Sequence, residues 1–409
     1  MTPRTRSLKI LVVCQYYYPE PFRVSDICES LAMMGHDVTV LTGLPNYPEG
    51  RVLPEYRHGK RRAESLNGVN IVRCLEIGRG RSRVRLFMNY LSFAISATLT
   101  ASFIKKDCDV VFVNQLSPIL MSIPGIAYKN QHHKKMLLYC LDLWPASLSA
   151  GGISEDSSVY RLLRIISRWI YRSADTVLVT SSMFQDYLES KLDIKDVNMR
   201  HVPQYAEDMF IRGDEETSGL ASPLGGRMYN FVFAGNVGDV QSVETIVRAA
   251  NEVRNRTDIG IHIVGDGSKL EACRGLSNEL GLTNLVFHGR RPIEDMPGFY
   301  RMADAMLVTM KRDEHLSYTL PGKVQSYMAA GRPILGAIDG ETSRIIQMSG
   351  CGYACEAEDY RDLARLIVRF CDDGAKDQMA ANALKFYSEH FSKEQFLSTL
   401  VEELEKLAA

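Results

Sequence analysis

Net charge is nearly absent from this chain: 48 lysines and arginines stand against 49 aspartates and glutamates, a balance of −1. No global field draws in nucleic acid or acidic lipid, so any basic surface must be local, and a nucleic-acid partner is not expected. Paired cysteines are lacking as well. The nine thiols, at 14, 28, 74, 108, 140, 273, 351, 355 and 371, are scattered, odd in number and without Cys-x-x-Cys or zinc-type spacing. That excludes a disulfide framework and points to reduced, structural thiols in a cytoplasmic protein. A signal peptide is not expected, because the apolar core over 10–14 is too short and a turn follows it. Low-complexity tracts, 20–50-residue repeats and a nucleophile–base triad are also missing.

What is present is a globular composition, 45% apolar and 24% charged over 409 residues, enough for two or three domains. Apolar runs over 9–13 and 38–42 flank a helix over 23–34. This is a βαβ unit, from which a parallel sheet follows. Further strands are expected over 109–113, 135–140, 176–180 and 198–203. From 207 to 227 periodicity dissolves into Asp, Glu, Ser and Gly, as in an interdomain connection. A second α/β series then places strands over 230–234, 260–264, 284–287, 305–309 and 333–336. Helices are expected between them near 241–254, 268–280, 294–302 and 322–330. The expected class is α/β: two doubly wound Rossmann-like domains facing across a cleft, with ligands outside the carboxyl ends of the strands. The expected boundaries are 1–206, a linker over 207–228, a second domain over 229–390, and a helix over 391–409 packing back toward the first domain.

Residues 313–336 carry the most chemistry. A polar loop with Ser317, Tyr318 and Leu320 leads into Pro321-Gly322-Lys323, which opens a helix, with proline expected at the first helical position. The start leaves the N–H groups of Gly322, Lys323 and Val324 available, with the positive helix end behind them and Lys323 adding a full charge. Three more strand ends carry suitable loops: Gly235-Asn236, Gly265-Asp266-Gly267 followed by Lys269, and Gly289-Arg290. Each alone is an ordinary turn. All four on one side of a sheet, with Lys269, Arg290 and Lys323, imply an anionic, nucleotide-type ligand.

In the first half, Asp142 ends an apolar strand before Trp144-Pro145, placed to face the cleft or simply to form a turn. Glu20 lies in the first strand–helix loop near Arg23, and Asn46-Tyr47 and Asn114-Gln115 fall in loops of the same face. Asp107-Cys108-Asp109 has the form of a metal motif, but it precedes a strand instead of following one; no metal site is expected.

The motifs of the second half resemble the nucleotide-sugar-binding domain of retaining family-4 glycosyltransferases with the GT-B fold. The first half is similar too, through 41–50 and Tyr139-Cys-Leu-Asp142-Leu-Trp144-Pro145, to bacterial transferases of fucosamine-type sugars in O-antigen or capsule assembly. The resemblance implies a nucleoside-diphosphate sugar donor, UDP-linked, bound as a substrate over 229–390. It also implies a polyprenyl-diphosphate-linked saccharide acceptor, retention, no metal cofactor, and catalytic roles for Asp142, Glu20 and Lys323. Two departures stand out. Where the family places an arginine and a lysine after the first strand of this domain, the chain has Asn236 and Gln241. Where it places two glutamates, the chain has Ser317 and Gln325, so Glu341 is the candidate replacement carboxylate. A UDP-sugar 2-epimerase and a non-catalytic scaffold remain alternatives.

Arginines at 79, 81, 83 and 85 run into an uncharged stretch over 86–104, closed by Lys105-Lys106. Its polar residues argue against a spanning segment. The 79–106 segment is expected to be either an interfacial helix on an anionic membrane, inserting Phe87, Tyr90, Leu91 and Phe93, or a core helix. Arg161, Arg164, Arg168 and Arg172 form a second basic series. The expected location is cytoplasmic, peripheral at the inner face of the plasma membrane.

Overall fold

The computed structural model describes residues 6–80, 82–105, 107–150, 152–211 and 226–409. The chain divides into two compact units, Met1–Val202 with Leu397–Ala409, and Pro203–Phe396.

The first unit holds β1 (Lys9–Val13), β2 (Asp37–Thr42), β3 (Ala63–Leu66), β4 (Val69–Arg73), β5 (Val110–Gln115), β6 (Lys135–Cys140), β7 (Thr176–Val179) and β8 (Asn198–His201). They form one sheet in the order β3-β4-β2-β1-β5-β6-β7-β8. Only β3 runs antiparallel, against β4. Central strands are covered on both faces, which is why they read as unbroken apolar runs; Ile10, Leu11, Val12 and Val13 are fully buried. Helix Val24–Met33 buries Val24, Ile27, Cys28 and Leu31, the 3–4 spacing of one helical face. The β3–β4 hairpin turns at Asn67-Gly68, both left-handed (φ 51° and 81°). This is the Asn-Gly signature of a two-residue turn.

The second unit holds β9 (Tyr229–Ala234), β10 (Ile259–Val264), β11 (Leu285–Gly289), β12 (Ala305–Thr309), β13 (Ile334–Ala337) and β14 (Gly352–Cys355). The order β11-β10-β9-β12-β13-β14 is parallel throughout. Chain direction across the sheet reverses between β9 and β12, and their carboxyl ends form the crevice where such folds bind ligands. Separate apolar clusters include Val232, Met306 and Tyr327 on one face and Phe231, Ile261 and Leu307 on the other.

The second unit already begins at Pro203, ahead of the linker expected from 207. Asp208–Ile211 is a helical turn, and Phe210 stacks on Tyr300 at 4.8 Å inside the second unit's core. Residues 212–225 of that linker lie outside the described ones. Helix Lys393–Ala408 ends the chain, and from Leu397 onward its residues belong to the first unit. There Arg200 on β8 meets Glu402 at 3.1 Å and Glu403 at 2.9 Å.

Helix Arg83–Ala101 divides the expectations for the 79–106 segment. Asn89, Phe93 and Ala97 face the core, so Phe93 is not available to insert in a membrane; Phe87, Ile95 and Leu99 are exposed. Arg81, Lys106 and the side chain of Arg83 lie outside the described residues. Among the described residues no helix is long and apolar enough to cross a membrane.

Candidate active site

At the crevice of the second unit, three strand-end loops step over one another. Gly235 N–H donates to the Val264 carbonyl and Gly265 N–H to that of Gly289, each at 2.9 Å. Both glycines have φ near 140°, and a Cβ on Gly265 would stand 1.8 Å from the Gly235 oxygen. Only glycine fits so close a crossing. A Cβ on Gly235 would come within 2.7 Å of Lys323 Nζ, so the bare backbone there makes room for the lysine head.

Lys323 lies in the first turn of helix Gly322–Ala329. Its Nζ is buried 4.0 Å above the Phe233 ring and has no hydrogen-bond partner among the described residues. Burial pulls its pKa down to about 7. An ammonium held out of water with no anion is disfavoured, so the site is electrostatically short of negative charge. Pro321 caps the helix and is not its first residue, because its ψ of 134° is extended. Its carbonyl accepts the Val324 N–H at 2.9 Å. The expected trio of available donors is therefore reduced to Gly322 and Lys323. Gln325, fully buried, directs its amide nitrogen to the Pro321 and Gly322 carbonyls at 3.0 and 3.1 Å. What remains of it for a ligand is a carbonyl oxygen.

The other expected donor-site residues are engaged differently. Lys269 is not aimed beside Lys323; its Nζ pairs with Asp239 at 3.2 Å, and Lys311 holds the other Asp239 oxygen. Lys311 and then Lys269 keep the Asp239 carboxyl below its usual range. Asn236 and Gln241, the noted departures from the resembled family's arginine and lysine, bond to each other at 3.2 Å as a neutral pair. Arg290 is exposed on the loop after β11. Asp266 accepts the N–H of Gly267 at 2.7 Å. Ser317 Oγ donates to the Glu314 carbonyl, Tyr318 Oη to the Glu314 carboxylate, each at 2.6 Å, and Leu320 is in the core. Glu341 is wholly buried and gripped by Arg344 through two bonds of 2.7 and 3.1 Å. A Cβ on its neighbour Gly340 would stand 2.1 Å from the Ser317 oxygen. The backbone just before Glu341 thus passes against Ser317, while the Glu341 carboxylate itself is already paired with Arg344.

In the first unit, Glu20 turns inward. One oxygen accepts the N–H groups of Asn46 and Tyr47 at 2.8 and 2.6 Å, so it clamps the loop after β2. Burial pushes its pKa up to about 7 against these bonds. Asp142 accepts the Ser117 N–H at 2.8 Å, and burial raises its pKa. The two acids of 107–109 serve β1: Asp109 accepts the Lys9 N–H at 2.8 Å and Asp107 meets Lys9 Nζ at 3.0 Å.

Residues 22–204 match the family described as Glycosyl transferase 4-like domain, and residues 229–373 that described as Glycosyl transferases group 1. The chain is a glycosyltransferase of this two-domain family. It is 29% identical over 317 residues to the probable glycosyltransferase WbjE of Pseudomonas aeruginosa, spanning 75% of this chain and 77% of that one. Over 340 residues it is 25% identical to the putative colanic acid biosynthesis glycosyl transferase WcaI of Escherichia coli K12, spanning 79% and 82%. The crystal structure of HepE from Anabaena, in complex with UDP and glucose, aligns with a TM-score of 0.69 at 13% identity, covering 97% and 99% of the two chains. The fold is GT-B.

The glycosyltransferase also holds acids and histidines that sequence reasoning did not single out. Glu76, just past β4, accepts from Gln15 Nε2 at 2.7 Å and Asn89 Nδ2 at 2.6 Å. It presses on Gly43, where a Cβ would stand 1.8 Å from Glu76 Oε2. Burial, aided by the nearby charge of Glu20, pushes Glu76 up to about 8. In the second unit, buried His262 meets His288 at 3.0 Å and Asn230 at 3.2 Å. Burial and then the His288 ring pull His262 down to about 4. The sequence signals for the Glu76 cluster were Asn89 inside an uncharged stretch and a lone acid just past a short strand.

Proposed function

We propose that this glycosyltransferase moves a sugar from a UDP-linked donor to a polyprenyl-diphosphate-linked saccharide in surface polysaccharide biosynthesis, with retention, the sugar being of N-acetyl-fucosamine type. The observation that carries the donor side is Lys323 Nζ, buried between Gly235 and Phe233 at the strand-order reversal with no hydrogen-bond partner among the described residues. A diphosphate would supply both the missing charge and the missing hydrogen-bond partner. Two facts support the finer reading: WcaI carries colanic acid biosynthesis in its name, and HepE binds UDP and glucose.

In this scheme the bond from the anomeric carbon to the diphosphate oxygen breaks. The acceptor hydroxyl attacks from the same face, and its proton passes to the departing phosphate oxygen. Lys323 and the start of its helix stabilise the charge of the leaving group, the role in which preorganised donors contribute most. The lysine takes the place a metal ion would otherwise fill, so no metal step is invoked. Asp142 would orient the acceptor, and Glu20 would keep the 44–47 loop in register for it. The enzyme would work at the inner membrane face, peripherally, through the 79–106 segment.

The deciding experiment incubates purified protein with radiolabelled UDP-sugars and a polyprenyl-diphosphate-linked saccharide. Label in the lipid fraction supports transfer. Interconversion of free UDP-sugars without acceptor would instead establish the 2-epimerase, and absence of any donor binding the scaffold.

A further inference from the structure

In the first unit, the loop after β2 and the loop before helix Arg83–Ala101 meet backbone to backbone. Gly80 N–H donates to the Gly50 carbonyl at 2.7 Å, and Cβ atoms at Gly50 and Gly78 would press to 2.8 and 3.0 Å on the opposite chain. These side-chain-free walls frame a hollow of about 920 Å³, into which Arg51, Arg57 and Arg85 project. Arg57 is steadied by its Nε, which donates to the Val52 carbonyl at 2.8 Å, and the stem of Arg85 lies over Gly80. None of the three is ion-paired among the described residues, and Glu49 is the single carboxylate of the lining. The hollow is therefore cationic. The basic series on helix Ser158–Ser173 is different: Arg168 and Arg172 are held by Asp193 and Asp196 at 2.7 and 3.3 Å.

From the rim of the hollow, helix Arg83–Ala101 leads away with an uncovered apolar face. Val84, Met88, Ile95 and Leu99 are 72, 40, 53 and 62% exposed. At 3.6 residues per turn they fall within an arc of roughly 60°. Convergent guanidiniums at one end of an apolar track match a molecule with a phosphate head and a long hydrocarbon tail. We infer that the hollow binds the diphosphate of the lipid-linked acceptor while its prenyl chain lies along this helix. The inference rests on the lipid-linked acceptor of the proposed function. Three arginines lining one hollow suit one compact diphosphate, whereas bulk phospholipid headgroups are met by polybasic stretches without such a hollow.

The test floats the full chain with phosphatidylcholine vesicles carrying either a few per cent undecaprenyl diphosphate or charge-matched phosphatidylglycerol. It compares wild type with Arg51→Gln/Arg57→Gln and with Arg85→Gln. The expected result is capture about tenfold stronger on the diphosphate lipid, lost in both variants, as for charged hydrogen bonds removed. An unchanged thermal shift with UDP would certify that the variants fold. Equal capture by both vesicle types, or wild-type capture by the variants, overturns the inference. In the transfer assay the variants should raise the acceptor KM and leave the donor KM alone. If wild type transfers to the lipid-linked saccharide and the variants do so with unchanged KM, the hollow is wrong and the function stands. If wild type transfers nothing, that function fails, and flotation still decides the hollow.

Discussion

At the loops beyond their strands, burial shifts opposite kinds of group in the two units. The second holds a lone cation, Lys323, whose pKa is pulled down to about 7. The first holds carboxyls, Glu76 and Glu20, pushed up to about 8 and 7. Burial drives each group toward its neutral form, but the consequences for pH run in opposite senses. A carboxyl raised when folded binds more protons than the unfolded chain, so its contribution is present at low pH and lost as pH climbs from about 4.5 through 8. A lysine or histidine lowered when folded binds fewer. His262 therefore adds stability as pH rises from about 4 to 6.5, and Lys323 as it rises from about 7 to 10.5. One unit is built to stay neutral and hold loops; the other is set to acquire charge when an anion arrives.

The sharpest way to break this contrast is Lys323→Ala. Transfer should fall by about a hundredfold or more, the scale of losing one preorganised donor to the leaving group. The ligand-free protein should melt higher at pH 7, since a poorly placed cation is gone; wild-type turnover would sink the diphosphate assignment. Next in size is the pH dependence of donor binding. A diphosphate requires the ammonium form, so affinity for UDP should drop with pH above 7, approaching tenfold per unit, with proton uptake visible by calorimetry in buffers of different ionisation enthalpy. Pure proton-neutral binding at pH 8 would contradict it.

A smaller effect is expected in the first unit. Glu76→Gln preserves the acceptor for Gln15 or Asn89 and should flatten the decline in amide protection of β1, β2 and β4 between pH 5 and 8. Glu76→Ala takes one acceptor from each amide, leaving Gln15 Nε2 on Asn89 Oδ1 and Asn89 Nδ2 on the Ile77 carbonyl, and should cost about 1–3 kcal/mol. If the glutamine variant keeps the full wild-type slope, Glu76 is not the titrating group. Smallest of all is Asp239→Asn. It releases Lys269 and Lys311 from an exposed pair of the kind worth under about 1 kcal/mol, so stability should barely move. UDP affinity should rise by a few-fold at most; a fall would mean that Asp239 positions the loop.

How much of this was legible depended on how far the partners lie apart in sequence. Parallel strands covered on both faces declare themselves, and β1, β6 and β12 fall on the expected residues. The β3–β4 hairpin went unread although Asn67-Gly68 marks it, because β3 at the sheet edge and β4 beside it alternate in exposure and lack an apolar run. The glycine crossings and Lys323 were readable because their chemistry is local. The Asp239–Lys269–Lys311 link and the Gln15–Glu76–Asn89 cluster join segments tens of residues apart, and nothing in either segment names the other. The Glu341–Arg344 pair is the exception: its partners stand one helical turn apart, a local spacing that sequence can show.

The last helix imposes an order on biosynthesis. The second unit is one uninterrupted stretch, whereas the first needs Leu400 and Leu404, both fully buried, from the far end of the chain. On the ribosome, the half translated first is the half completed last. Its sheet must wait, with the flank beside β8 uncovered, until residues 397–409, made after the whole second unit, clear the exit tunnel.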